Sequence, residues 1–159
     1  MTQKDKNGLP VRIEKAAPGD EAAVAALERQ CFSRPWSEAA AREELLRTDC
    51  VFLKAVAGGR LCGYISCRVA LDEAYVGNLA VRPDLRGQGI GAALVRALKA
   101  AAKNAGCSFL SLEVRVSNQP ARRLYEKEGF RLMGERRRFY SAPTEDAAIY
   151  TVYFEESGS

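Results

Sequence analysis

The sequence predicts a single α/β domain with a mixed central sheet of about seven strands and about four helices. Strand-like and helical hydrophobic patterns follow one another in the order β-α-α-β-β-β-α-β-α-β-β. No repeat, low-complexity tract or interior linker interrupts this order, and 159 residues is a normal length for one domain. We therefore assign residues 11–155 to one domain and residues 1–10 to a flexible leader.

Two helices follow the first predicted strand. Residues Val11 to Glu14 alternate between apolar and polar side chains, as a half-buried strand does. Pro18-Gly19-Asp20 then opens a helix whose apolar residues recur at helical spacing: Val24, Leu27 and Cys31. Pro35 ends that helix region, and Ser37 is a suitable cap for a second helix with Leu45 and Leu46 on its apolar face.

The middle of the chain predicts three strands and a long helix. Val51–Ala57 and Arg60–Val69 are strand-like, and the Gly-Gly pair between them is typical of a two-residue hairpin turn. Glu73–Val81 is the third strand. A helix then occupies residues 90–106, and its buried face is formed by residues at helical spacing: Ile90, Leu94, Ala97, Leu98 and Ala101.

The remainder of the chain predicts three strands and one helix. Phe109–Val116 is strand-like. Asn118, with Pro120 in the first turn after it, starts a helix that ends at Gly129. Phe130–Tyr140 and Ala147–Phe154 are the last two strands, joined by a polar loop.

Composition excludes several classes of protein. No apolar run approaches the roughly 20 residues that cross a bilayer, and the polar first ten residues do not form a signal peptide. Five cysteines without metal-ligand spacing indicate free thiols in a reducing cytoplasm. The absence of histidine excludes Ser-His-Asp and Cys-His catalysis and argues against a zinc site. The net charge of +4 suits an acidic ligand but is too small to indicate nucleic-acid binding.

The most informative motif is Arg86-Gly87-Gln88-Gly89-Ile90-Gly91, between the strand ending at Val81 and the long helix. Backbone N–H groups and the positive end of a helix dipole at such a turn bind phosphate. The motif lacks the Gly-Lys-Ser/Thr ending of a P-loop. Taken alone, it is equally consistent with a structural turn.

The motif and its surroundings resemble the GCN5-related N-acetyltransferases. Arg86-x-x-Gly89-x-Gly91 fits the Gln/Arg-x-x-Gly-x-Gly/Ala signature of that family. The resemblance extends from about Val11 to Val152 through Asn78-Leu79-Ala80-Val81-x-Pro83, Leu112-Glu113-Val114-Arg115-x-Ser117-Asn118 and Leu124-Tyr125-x-x-x-Gly129-Phe130. Pro35-Trp36-Ser37 and Glu145-Asp146-Ala147 are similar to the RimI subgroup, which acetylates the N-terminal amine of a small-subunit ribosomal protein.

This resemblance implies a V-shaped opening between two parallel strands that holds acetyl-CoA as co-substrate, without a metal. Backbone groups of one strand would hold the pantetheine arm, and amides from Gln88 to Ala92 would hold the pyrophosphate. A side chain at Gly89 or Gly91 would push phosphate oxygens away from those amides. The implied cofactor-binding residues are Leu79, Ala80, Val81, Arg86, Gly87, Gln88, Gly89, Ile90, Gly91, Ala92 and Asn118.

Glu113 is the candidate general base. Strand alternation places Phe109, Ser111, Glu113 and Arg115 on one face. A carboxylate beside bulky apolar neighbours loses solvation, which makes it a better base. On the residues alone, the alternative is a surface glutamate paired with Arg115 or another neighbour. The resemblance implies the catalytic role.

Tyr125 is the candidate general acid. It lies seven residues after Asn118, so two helical turns place both side chains on one face. The resemblance implies that Tyr125 protonates the departing CoA thiolate and that Asn118 contacts CoA as well as capping the helix. The alternative for Tyr125 is a half-buried aromatic residue that anchors the helix.

Trp36 and Tyr140 lie in the two loops that the resemblance places beside the acceptor, although each also fits ordinary packing. The arginine run 136–138 favours a solvated edge strand over a binding patch for an acidic partner.

We expect an enzyme that transfers acetyl from acetyl-CoA to a primary amine, first of all the N-terminal alanine of a small-subunit ribosomal protein. One alternative is a small-molecule acceptor such as an aminoglycoside, polyamine or amino acid. The other is a catalytically silent module that binds acetyl-CoA. The expected partner is a protein or peptide N terminus, with no membrane or nucleic acid, and the enzyme is expected to be a monomer or weak dimer.

Overall fold

A computed structural model describes residues 3–5 and 7–155, which contain seven strands and four α-helices in the predicted order. The strands are β1 Arg12–Lys15, β2 Cys50–Ala57, β3 Arg60–Ala70, β4 Glu73–Val81, β5 Phe109–Arg115, β6 Arg131–Tyr140 and β7 Glu145–Tyr153. The helices are α1 Glu21–Cys31, α2 Glu38–Leu46, α3 Ile90–Asn104 and α4 Gln119–Lys127. A short 3-10 turn at Pro83–Leu85, which was not predicted, leads into the glycine motif.

All seven strands form one sheet in the order β1-β2-β3-β4-β5-β7-β6. Strands β4 and β5 run parallel, and their ladder consists of three residue pairs: Glu73–Phe109, Ala74–Leu110 and Tyr75–Ser111. Beyond these pairs β4 continues to Val81 and β5 to Arg115 without pairing to each other. The two strands therefore diverge and form the V-shaped opening that the sequence predicts.

Strand β4 carries a bulge where the opening begins. Gly77 and Asn78 of β4 face the single residue Ser66 of β3, because the register shifts between the pairs Cys67–Val76 and Ile65–Leu79. A bulge bends its strand and changes the direction of a side chain. Here the bulge directs the side chain of Asn78 towards Tyr64 of β3, and the Asn78 Nδ2 atom donates to the Tyr64 hydroxyl oxygen at 3.3 Å.

The helices cover both faces of the sheet. Ile90, Leu94 and Leu98 of α3 are at most 1% exposed and pack in the larger core cluster, which includes Ile65 and Leu110. Helices α1 and α2 pack on the other face against Phe52 and Tyr64, in a smaller cluster that also contains Val24, Leu27 and Ala41. The structure thus leaves the gap between β4 and β5 open between two packed layers.

The described part of the predicted leader folds back on the domain. The Gln3 carbonyl accepts from the Val11 amide at 2.8 Å, and the Asp5 carboxylate accepts from the amides of Asn7 and Leu9. Residues 1, 2, 6 and 156–159 lie outside the described residues, so the flexibility of the leader stays a prediction. Within the described chain, no helix has the length and apolar character needed to cross a bilayer.

Candidate active site

A cavity of about 620 Å³ lies beside the glycine motif; we call it the glycine-loop cavity. Its walls are the end of β4, the turn at residues 86–91, the first turn of α3 and the start of α4. Ten of the residues predicted to bind the cofactor line it: Leu79, Ala80, Val81, Arg86, Gly87, Gly89, Ile90, Gly91, Ala92 and Asn118. Gln88, the remaining residue of the predicted set, is not among the lining residues.

The turn has the backbone geometry of an anion cradle. Gly87 and Gly89 have φ values of 80° and 85°, in the left-handed region that favours glycine. Gly89 precedes α3 without a capping side chain, so the first N–H groups of the helix remain available to a ligand. Arg86 donates from Nε to the Val81 carbonyl at 3.3 Å and ties the turn to the end of β4.

The two glycines of the signature have different surroundings. A Cβ atom at Gly89 would lie 2.6 Å from Oε1 of Gln3, a contact with the leader that the sequence did not predict. A Cβ atom at Gly91 would lie 3.5 Å from a Leu124 methyl and 3.8 Å from a Val81 methyl, which are ordinary contact distances. The protein itself therefore restricts residue 89 more tightly than residue 91.

A second cavity, of about 810 Å³, lies along the part of β5 that does not pair with β4; we call it the β5 cavity. It brings together the two predicted catalytic residues, Glu113 and Tyr125, and the two predicted acceptor residues, Trp36 and Tyr140. Five residues line both cavities: Cys31, Phe32, Leu79, Asn118 and Ala121. Ligands in the two cavities would therefore meet in the gap between β4 and β5.

Glu113 is partly exposed and has one basic partner. Its carboxylate accepts from Nη1 of Arg136 at 3.3 Å, and its side chain is 30% exposed. The expected loss of solvation is therefore only partial, and the edge strand β6, two strands away from Glu113, supplies a charged partner. The pairing with Arg115 considered from the sequence does not form, since Arg115 pairs with Glu145 at 3.2 Å instead.

Tyr125 is buried in the last turn of α4, with 6% of its surface exposed. Its ring contacts those of Phe130 and Tyr150, at centroid distances of 5.5 Å and 6.5 Å. Burial raises the pKa of its phenol well above the usual range, so the hydroxyl keeps its proton at neutral pH. Among the residues that the structure describes, none forms a hydrogen bond with this hydroxyl, which leaves its proton available to a ligand.

Asn118 both caps a helix and faces the cavities. Its Oδ1 accepts from the Ala121 amide at 3.2 Å, which confirms the predicted cap of α4. It also lines both cavities, so the cap and the predicted contact with CoA are compatible.

Trp36 and Tyr140 each line the β5 cavity and also pack against the protein. The Trp36 ring stacks on Tyr64 at 6.0 Å, and the Arg115 guanidinium lies 4.6 Å from the centre of the Tyr140 ring. Burial, with the nearby Glu113 carboxylate as a smaller cause, raises the pKa of Tyr140. Tyr140 is the last residue of β6 and not a loop residue as expected, and Arg115 donates to the carbonyls of Ser141 and Pro143 in the loop that follows it.

The arginine run lies on the edge strand β6, as the sequence favours, and all three guanidinium side chains are exposed. The strand is irregular within this run. Arg138 has φ 52°, and its amide donates to Oδ1 of Asp146 at 2.9 Å. The strand bulges there because the register shifts between the Arg136 and Tyr140 pairs.

Comparison with known proteins identifies the family. The sequence profile of the acetyltransferase (GNAT) family matches residues 22–130. A Bacillus subtilis protein is 37% identical over 131 residues, which cover 82% of this chain and 87% of that protein. The chain belongs to the acetyltransferase (GNAT) family. The proposed activity in the name of the Bacillus relative is ribosomal protein bS18-alanine N-acetyltransferase.

Solved GNAT structures share the fold. The crystal structure of the ribosomal-protein-S18-alanine N-acetyltransferase from Escherichia coli matches with a TM-score of 0.85 and 31% identity, covering 93% of this chain and 96% of that one. Arabidopsis thaliana NAA60 in complex with acetyl-CoA matches with a TM-score of 0.82 and 20% identity, covering 91% and 99% of the two chains. The present GNAT chain is an acetyl-CoA-dependent N-acetyltransferase, and its glycine-loop cavity borders the N terminus of α3, where helix N–H groups can bind an anion.

Sequence reasoning missed one buried residue of the β5 cavity, Glu28. This carboxylate of α1 is 1% exposed and accepts from the Trp36 amide at 2.9 Å and the Tyr64 hydroxyl at 2.5 Å. The signal was present, because residue 28 falls between Leu27 and Cys31 on the apolar stripe of the predicted helix. A glutamate at such a position has to be buried with polar partners.

Proposed function

We propose that this enzyme acetylates the N-terminal α-amine of a protein, and that its acceptor is the N-terminal alanine of a small-subunit ribosomal protein. The observation that carries the proposal is the β5 cavity, which gathers Glu113 and Tyr125 beside the gap and is also lined by Trp36, between α1 and α2, and by Tyr140, at the end of β6. The similarity to proteins named for acetylation of the alanine of bS18 supports the choice of acceptor.

The proposed reaction is a direct transfer between the two cavities. Glu113 removes a proton from the α-ammonium, whose reference pKa of about 7.7–8.0 makes this easy near neutral pH. The neutral amine attacks the thioester carbonyl to form the C–N bond, and the C–S bond then breaks as Tyr125 donates its proton to the departing thiolate. The new amide nitrogen releases its remaining extra proton, which restores the Tyr125 hydroxyl, and Glu113 returns its proton to water. No covalent enzyme intermediate is required.

Strand β4 orients the co-substrate in this proposal. Beyond Tyr75, β4 has no ladder with β5, so its backbone at residues 79–81 is available on that side. An extended pantetheine arm can pair with such an edge as an added strand does. The amides of the glycine turn and of the first turn of α3 then hold the pyrophosphate.

The deciding experiment incubates the protein with acetyl-CoA and a ribosomal-protein N-terminal peptide that begins with alanine. Mass spectrometry of fragments should find one acetyl group, on the α-amine. The matched control is the same peptide with a blocked α-amine, which should stay unmodified even where it contains lysine. Exclusive acetylation of polyamines, aminoglycosides or amino acids in a parallel assay would contradict the proposed acceptor.

The same proposal concerns location and assembly. Ribosomal proteins are made in the cytoplasm, so the enzyme is proposed to act there as a monomer or weak dimer. It is proposed to need no metal, membrane or nucleic acid for activity. Gel filtration and an assay with and without a chelator test the assembly state and the metal independence.

A further inference from the structure

Glu28 presents an ionised carboxylate in the wall of the β5 cavity. Three groups donate to it. The Trp36 backbone N–H donates to Oε1 at 2.9 Å, the Tyr64 hydroxyl donates to Oε2 at 2.5 Å, and the Asn78 side-chain NH2 donates to Oε2 at 3.5 Å. Asn78 also donates to the Tyr64 oxygen, which directs the Tyr64 hydrogen towards Glu28. A protonated carboxyl would need an acceptor, whereas an ionised one accepts only, so this arrangement selects the charged form.

This carboxylate has no basic partner among the residues that the structure describes. Within residues 3–5 and 7–155, no lysine or arginine lies within 4.0 Å of the Glu28 carboxylate. By contrast Glu128, which is 9% exposed, pairs with Arg96 at 3.0 Å. Buried charges in proteins are normally paired, because removing an ion from water is costly. An unpaired one in a ligand cavity indicates that the ligand brings the opposite charge.

We propose that this missing counter-charge is the protonated amine of the acceptor, and that Glu28 is the specificity-determining residue that selects it. The inference rests on the proposed function in taking an α-amine as acceptor. At pH 7 an α-amine with a reference pKa of about 7.7–8.0 is mostly cationic. A carboxylate offers about four acceptor positions, and Glu28 has three donors, so one position is open to an ammonium.

Two carboxylates then have separate roles in one cavity. Glu28 is 1% exposed and held by three donors, which suits it to orient a cation in a fixed position. Glu113 is 30% exposed and has one partner, so its carboxylate is the more accessible of the two to a bound amine and to water. The ammonium binds beside Glu28 and loses its proton to Glu113.

The charge of Glu28, and not only its shape, is needed for this role. The hydrogen bond to the Trp36 amide requires one oxygen, which a glutamine also supplies. Glu28→Gln therefore keeps the anchor of the loop that carries Trp36 and removes the negative charge. A purely structural Glu28 would tolerate this change without any effect on the choice between charged and neutral ligands.

The test measures binding of two peptides to the CoA-saturated enzyme by calorimetry at pH 6.5. One peptide begins with alanine, and the other is its des-amino counterpart, in which hydrogen replaces the ammonium. The wild type should prefer the amine by about tenfold to a hundredfold, the usual value of a hydrogen bond to a charged group. In Glu28→Gln the preference should fall below about threefold, while the affinity for the des-amino peptide is unchanged.

The matched control is Glu128→Gln, which removes a buried carboxylate that pairs within the protein; it should keep the wild-type preference. Equal weakening of both peptides by Glu28→Gln, or an unchanged preference, would overturn the proposal. If that variant does not fold, the wild type decides. Its preference should decline between pH 6.5 and pH 9.5 as the amine loses its proton, and a constant preference would refute the role of charge.

The outcomes separate this inference from the proposed function. Amine preference without acetyl transfer contradicts the ribosomal-protein acceptor and leaves the role of Glu28 supported. Acetyl transfer with an undiminished preference in Glu28→Gln contradicts only the role of Glu28. Failure of the wild type to bind either peptide overturns both.

Discussion

Glu113 holds its carboxylate in the β5 cavity with Arg136 as its ion-pair partner. We predict that Glu113→Gln lowers kcat at pH 7 by about a hundredfold or more, the usual contribution of a general base. An amine with a pKa of about 8 is roughly a tenth neutral at pH 7 and nine tenths neutral at pH 9. The variant should therefore recover about tenfold between these pH values, measured as a pH profile of kcat.

Arg136→Ala is the control for this prediction. It removes the partner of the carboxylate and leaves the base in place, so kcat at pH 7 should stay within about threefold of the wild type. Full activity of Glu113→Gln at pH 7 would show that another group, or water alone, removes the proton.

Tyr125 is expected to contribute to chemistry through its hydroxyl and to stability through its ring. Tyr125→Phe should lower kcat by about tenfold or more without changing the KM for acetyl-CoA. Its melting temperature should stay close to that of the wild type, because the hydroxyl has no hydrogen-bond partner among the described residues. Tyr125→Ala should instead lose about 3–5 kcal/mol of stability. Equal turnover of wild type and Tyr125→Phe would assign the residue to packing alone.

Single residues were predictable where a local motif marks them. Ser37 and Asn118 are caps in the structure as in the sequence, since a cap needs only its own turn. The burial of Glu28 was indicated by its place on the apolar stripe of α1, but its partners were not predictable, and neither was the Glu113–Arg136 pair, because both depend on how distant segments pack together. The Arg115–Glu145 pair has the same origin, since it joins β5 to the start of β7.

At the scale of elements, the turn before α3 joins a strand, a helix and the leader. Gly91→Ala should keep acetyl-CoA binding, because the added methyl meets Leu124 and Val81 at ordinary distances and the family signature admits alanine there. Replacing a helical glycine should also stabilise the protein by up to about 1 kcal/mol. The expectation that a side chain at Gly89 or Gly91 displaces phosphate oxygens stays a prediction, which acetyl-CoA binding to this variant tests at residue 91.

Gly89→Ala is the matched comparison for that variant. Its positive φ opposes a side chain, whereas the end of the Gln3 side chain can move aside, so backbone strain should lower stability and acetyl-CoA affinity together. Calorimetry with CoA and thermal melts of both variants provide the test. Equal affinities of the two variants would contradict the assignment of the strained position to residue 89.

Element order was predictable because hydrophobic periods of two and 3.6 residues are local properties. The divergence of β4 from β5 was expected only through the family resemblance. Its physical origin, the bulge at Gly77 and Asn78 opposite Ser66, is a property of strand pairing that no single segment encodes.

At the scale of the whole molecule, buried cysteine thiols make the stability of the fold sensitive to alkaline pH. Burial raises the pKa of Cys67, which is 1% exposed, from about 9 to about 12, and raises that of Cys50 to about 11. Between these values the unfolded chain binds fewer protons than the folded one, so stability falls as pH rises. The stabilisation is complete below pH 9 and is lost progressively between pH 9 and pH 12.

For Cys67 alone, this linkage amounts to about 1.4 kcal/mol at pH 10, or about 3–6 °C in melting temperature for a chain of this size. The melting temperature of Cys67→Ala should therefore fall less between pH 8 and pH 10 than that of the wild type, although the variant is less stable at pH 8. Val95→Ala, a core truncation that keeps the thiol, should show the full alkaline loss. Parallel pH dependences for all three proteins would mean that Cys67 ionises equally well in the folded core.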